Sequence, residues 1–173
     1  MANTKYGYAE SSDLRATNAG HIRSVVHSTK ALENGMLVKI GEIVKNKEIY
    51  SCELPEATDK VGLILSALIP YDTTRTALTH EMYLRKEVGE AARFYFLEVA
   101  DRFAIADYMV TKVGEAPAKD NLLVVDPATG FYKELAKGTD VSGYGFVAVI
   151  EEIEYKSNLT LVRVRVIKNE DVA

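Results

Sequence analysis

Two stretches of the chain, residues 146–155 and 160–167, are separated only by Lys156-Ser157-Asn158-Leu159 and are dense in β-branched and apolar residues. Val162, Val164 and Val166 alternate with Arg163 and Arg165. A period of two means a strand, because successive side chains point to opposite faces. With Ser157-Asn158 as the turn, Ile153 faces Val162, Val149 faces Val166 and Glu152 faces Arg163. One face is then apolar and the other carries an opposite-charge pair, as a half-buried antiparallel sheet requires. A lone hairpin is marginal in water, so the rest of the chain must supply partner strands.

The upstream sequence supplies them. Residues 21–28 contain Ile22, Val25 and Val26, and residues 36–44 closely follow Asn34-Gly35, a strong turn signal. Residues 47–54 alternate through Ile49, Tyr50 and Cys52 before Pro55, and residues 61–69 form an apolar run closed by Pro70, a buried strand by length. Residues 71–78 read as a Thr-rich loop. Over residues 81–92, helix-favouring Glu, Leu, Arg, Lys and Ala compete with Gly89 and the lack of a clean cap. Residues 93–99 and 103–106 read as strands around a tight turn at Ala100-Asp101-Arg102. Residues 122–125 and 131–135 flank Asp126-Pro127-Ala128-Thr129-Gly130, a hairpin signal. The expectation is a mainly β fold: a small antiparallel barrel or sandwich (β-tulip-like), with at most one or two short helices.

The first twenty residues differ. Rich in Ala, Ser, Asn, Thr and Gly, they offer only Tyr6, Tyr8 and Leu14 as apolar anchors, too little burial to offset their ordering entropy. They are expected to form an extended N-terminal arm (1–20), free or docked, ahead of a single β-rich domain (21–173). Nothing adjacent in sequence buries Tyr6 and Tyr8. With Leu14 and Arg15 they are the candidate contact residues for a partner.

The residues offer little chemistry. Cys52 is the only cysteine, so no internal disulfide or multi-cysteine zinc site can form. His21, His27 and His80 are not spaced to share a metal, so no metal site or cofactor is expected. Ser142-Gly143-Tyr144-Gly145 reads as a turn, and no nucleophile elbow, phosphate loop or dinucleotide fingerprint is present. The carboxylate neighbours Glu151-Glu152 and Glu98 near Asp101 arise readily in a chain with 25 acids. The chain is therefore expected not to be an enzyme. A net charge of −4 gives no electrostatic reason for nucleic-acid binding, for which Arg93, Tyr95, Arg163 and Arg165 are the sole candidates. No apolar run is long enough to span a membrane and no signal core is visible.

The segment Leu32-Glu33-Asn34-Gly35-Met36-Leu37-Val38-Lys39-Ile40-Gly41, the later Gly89-Glu90-Ala91-Ala92-Arg93-Phe94-Tyr95-Phe96-Leu97, and Asp101-Arg102-Phe103-Ala104-Ile105 together resemble capsid decoration (cement) proteins of tailed bacteriophages. The resemblance covers residues 32–167 as a pattern of strands and turns without a catalytic motif. It implies a virion protein on the capsid exterior, bridging subunits of the major capsid protein as a monomer or trimer, made in the host cytoplasm. No binding residue carries over from it. The rival readings are another virion component, such as a tail or head-completion protein, and a β-barrel that binds nucleic acid or a ligand.

Overall fold

The computed structural model describes residues 5–45, 47–67, 85–156 and 158–172. Twelve strands and one α-helix follow in the order β1 Ala9–Asp13, α1 Arg15–Ala19, β2 Ile22–Val26, β3 Leu37–Ile43, β4 Tyr50–Glu53, β5 Gly62–Ile64, β6 Ala92–Phe96, β7 Arg102–Ala106, β8 Val110–Thr111, β9 Leu122–Val125, β10 Tyr132–Leu135, β11 Phe146–Lys156 and β12 Leu159–Asn169. The fold is mainly β, and the barrel and the sheet are both present. Strands β2-β4-β3-β5-β6 close into a barrel, and β1-β7-β12-β11-β9-β10-β8 form a seven-stranded sheet.

The C-terminal hairpin pairs Ile153 with Val162 and Glu152 with Arg163, as the sequence leads one to expect. Beyond that the ladder shifts by one at Glu151, so Val149 meets Arg165 rather than Val166. A second irregularity beside Ala148 skips Ile167 and restores the register. Each bulge leaves one residue without an opposite number. Bulged Glu151 reaches Arg165 at 2.6 Å and Arg102 at 3.0 Å, while bulged Ile167 stays 38% exposed.

Barrel and sheet share their packing. Leu37, Leu63 and Tyr95 join the core of the sheet, whereas their strand neighbours Val38, Ile64 and Phe94 line the barrel interior. At these positions the strands are therefore apolar on both faces. The Asn34-Gly35 turn adopts the left-handed conformation at Gly35 (φ 88°). Tyr132, fully buried in the sheet core, donates its hydroxyl to the Gly35 carbonyl at 2.8 Å. The Asn34 side chain accepts from the Ser66 N–H (2.8 Å) and donates to the Ser66 carbonyl (2.9 Å), behaving like one more rung of a ladder. Asn169 fastens the end of β12 to the barrel through Val61 and Leu97. Among the described residues every buried side-chain nitrogen and oxygen has a hydrogen-bond partner.

One open reading is decided and one expectation corrected. Of residues 81–92, where helix and strand competed, the described residues 85–92 form no helix: Lys86 bridges to Leu32, and Gly89 turns at φ 80°. The boundary at residue 20 does not set an arm apart from the domain. Residues 9–13 are strand β1, paired with β7 from Ala9↔Ile105 to Asp13↔Arg102, and Ala9, Leu14 and Ala16 are buried in the sheet core. The sparse apolar residues suffice because the surface that covers them lies about a hundred positions downstream, where local composition cannot register it. The loop expected at 71–78 lies outside the described residues.

Candidate interaction surface

The N-terminal segment is held by groups from four distant parts of the chain. The Gly7 N–H donates to Glu33 Oε2 at 2.6 Å and the Tyr8 N–H to Met109 Sδ at 3.3 Å. The Tyr8 hydroxyl donates to Glu10 Oε1, which also receives the Lys156 ammonium at 2.8 Å. The Arg15 N–H donates to Asp101 Oδ1 at 2.9 Å, and the other Asp101 oxygen takes the Glu98 N–H at 2.8 Å. Burial pushes the Asp101 carboxyl above its ordinary value, against the lowering effect of those two N–H groups. Its oxygens cap the β6–β7 turn and the start of α1.

The four candidate contact residues therefore part company. Leu14 is 3% exposed and belongs to the core, so it is corrected from contact candidate to packing residue. Arg15 presents an exposed side chain 3.6 Å from Glu98. Tyr8 is half-buried against the sheet core. Tyr6 is half-buried, with the Arg85 guanidinium 4.7 Å from its ring centroid. The Tyr108 hydroxyl donates to the Tyr6 carbonyl at 2.8 Å, and the Lys5 ammonium lies 5.7 Å from the Tyr108 ring. Glu87 receives two hydrogen bonds from Arg85, at 3.0 and 3.2 Å, a bidentate contact that orients the guanidinium.

The result is a surface cluster of two tyrosines, one oriented arginine and a lysine. Arginine stacked on an aromatic face is favoured both by the ring quadrupole and by weak guanidinium hydration. Rigid aromatic and guanidinium groups at a surface are the groups that dominate protein–protein contacts. Sequence reasoning found Tyr6 but missed Arg85 and Tyr108. Neither bears a local mark, since Tyr108 lies 102 positions from Tyr6.

The remaining chemical candidates are dispersed. Cys52 is buried in the barrel, where desolvation pushes its thiol up to about 12. His27 accepts the N–H groups of Thr29 and Lys30 at Nδ1, and burial lowers its pKa. His21 sits 3.4 Å from Glu98, and His80 lies outside the described residues. Among the described residues no three His, Cys, Asp or Glu side chains gather as a metal site would need. Desolvation would raise Glu151, but the hydrogen bonds from Arg165 and Arg102 hold its carboxyl below the ordinary range. The four residues named for nucleic-acid contact are split between two sheets: Tyr95 is 9% exposed, and Arg163 and Arg165 are engaged by Glu154 and Glu151. The turn at Ser142 is tied by its N–H to Asp140 Oδ1 at 3.0 Å. Among the described residues no helix is long and apolar enough to cross a membrane. Comparison with protein-family models, curated proteins and solved structures gives no match for this chain.

Proposed function

We propose that this chain is a structural binding protein of a tailed-phage head, which sits on the outer surface of the capsid and bridges neighbouring subunits of the major capsid protein. The observation that carries the reading is the oriented cluster of Tyr6, Arg85 and Tyr108, held on a scaffold whose barrel strands pack into the core of the sheet. The resemblance over residues 32–167 directs the choice of partner. A bridging protein works mechanically: it must keep its contact groups at fixed separations while the shell pulls on them. Two β bodies tied by Tyr132 and Asn169 are suited to that load. Groups already in place lose less entropy on binding than loose side chains, which leaves more of the contact energy for affinity. Many copies on a repeating lattice then gain from engaging more than one subunit each.

The test is co-sedimentation of the purified chain with immature and mature phage capsids. Saturable binding at a ratio commensurate with the capsid lattice is expected. A Tyr6→Ala, Arg85→Glu variant, checked for retained β structure by circular dichroism, is expected to bind at least about tenfold more weakly. No binding to either shell would overturn the reading and favour another virion role.

A further inference from the structure

The closed barrel is thinnest at one place. Strand β5 has only three residues, and its ladder with β3 stops at Val38↔Gly62 and with β6 at Gly62↔Phe96. Upstream of Gly62 the chain turns to the C-terminal residues instead. The Val61 N–H donates to Asn169 Oδ1 at 2.9 Å and the Lys60 N–H to Asp171 Oδ1 at 2.8 Å. The gap so left between β3 and β6 is a pocket of about 160 Å³.

Its lining is segregated. Ile40, Val61, Phe94 and Phe96 make the floor, with the two phenylalanine rings edge to face at 4.9 Å. Lys39, Lys60 and Asp171 make the rim. Lys39 is already neutralised by Asp59 at 2.6 Å. Among the described residues the Lys60 ammonium has no hydrogen-bond or ion-pair partner, and the Asp171 carboxylate, whose charge also acts on Lys39, spends one oxygen on the Lys60 N–H. The rim thus carries both an ammonium and a carboxylate, the carboxylate held on the Lys60 N–H, above an apolar floor.

We propose that this pocket binds a small zwitterion with one apolar side chain, in chemistry an apolar α-amino acid. The side chain lies on the phenylalanine floor, the carboxylate meets Lys60 and the ammonium meets Asp171. The volume matches the size class, since a cavity of about 150 Å³ lined by apolar groups takes a single benzene ring. Pockets at the mouths of barrels, apolar with a few convergent polar groups, are the usual form of small-ligand sites. Charge decides the head group. A simple carboxylate would face Asp171, a simple amine would face Lys60, and only a ligand carrying both signs leaves neither charge opposed.

The test is an amide NMR titration of the full chain with L-phenylalanine, phenylacetate and phenethylamine in separate samples. L-phenylalanine is expected to shift the amides of Ile40, Val61 and Phe96 saturably with a millimolar Kd, and the singly charged analogues to bind at least about tenfold more weakly. Lys60→Glu, an exposed change that should leave the spectrum dispersed, is expected to weaken L-phenylalanine by about tenfold while leaving phenethylamine no weaker. Absence of saturable shifts, shifts confined to residues away from the pocket, or analogues as tight as L-phenylalanine would each overturn the proposal.

Discussion

The sheet and the barrel draw on similar residues but treat their two faces differently. Along β12, Val162, Val164 and Val166 are buried while Arg163 and Arg165 stay at the surface, paired with Glu154 and Glu151. Lys156 with Glu10, and Arg102 with Glu151, extend the same polar face across four strands. In the barrel, Leu37–Val38 of β3, Leu63–Ile64 of β5 and Phe94–Tyr95 of β6 are buried on both faces, one toward the interior and one toward the sheet. A strand with one wet face can accommodate a new side chain by pointing it into solvent. A strand packed on both faces cannot, because interiors are close-packed and every added atom displaces another. Tolerance to substitution should therefore divide between the wet face of β12 and the doubly buried positions of β3, β5 and β6.

The largest expected effect is in the barrel. At Gly62 a Cβ would lie 2.1 Å from the Phe94 ring and 2.7 Å from the Tyr95 carbonyl. Gly62→Ala is expected to cost about 3 kcal/mol or more in urea unfolding, or to prevent folding. Gly143→Ala, where a Cβ meets nothing within 4 Å, should leave the midpoint unchanged. Equal effects at the two glycines would break the comparison. Next comes Leu14→Ala, expected to cost about 2–4 kcal/mol because the residue is in the sheet core. A cost near zero would restore residues 1–20 to the status of an arm.

Smaller effects belong to the wet face. Arg163 is 2.7 Å from Glu154 but 3.9 Å from Glu152. Double-mutant cycles should give a coupling of about 0.5 kcal/mol for Arg163 with Glu154, after allowance for solvent screening, and less for Arg163 with Glu152. The reverse ranking would refute the diagonal pairing of Arg163 with Glu154 in favour of the residue directly opposite it. The Glu151 carboxyl is held below its ordinary value, so the stability it contributes is full above the ordinary carboxylate range and is lost as pH falls through its folded value. Glu151→Gln should therefore show a shallower loss of stability on acidification than the parent chain, measured by unfolding at several pH values. The smallest effect concerns Ala100, whose φ of 78° is strained for any residue with a Cβ. Ala100→Gly should raise stability by about 0.5 kcal/mol, the relief of strain less the added freedom of the unfolded chain.

Legibility followed the same division. The pairing of Ile153 with Val162 was readable because one wet face forces alternation and a short turn sets the register. The slip at Glu151 was not, because it answers to Arg102 on a separate strand. The hairpin at Asp126 was readable because its cause is local: the Asp126 carboxylate receives the Ala128 N–H and the Thr129 hydroxyl. Strand β1 was not, since its partner β7 lies some ninety residues on. Of the candidate contact residues, Tyr6 stands in the surface cluster and Leu14 lies in the core, a distinction that depends on what each meets across the fold.

By itself, the sequence determined the mainly β character of the protein, the positions of most strands, the turns at Asn34-Gly35 and Asp126-Gly130, and the near-turn register of the C-terminal hairpin. These rest on interactions between neighbours in the chain, where residue type and spacing carry the physics. Only the tertiary structure decided that two β bodies form, that residues 9–19 join the larger one, that Arg85 and Tyr108 flank Tyr6, and that the short β5 leaves a pocket in the barrel wall. Those outcomes depend on which distant surfaces exclude water from one another, a global property of the folded chain that no local window of sequence contains.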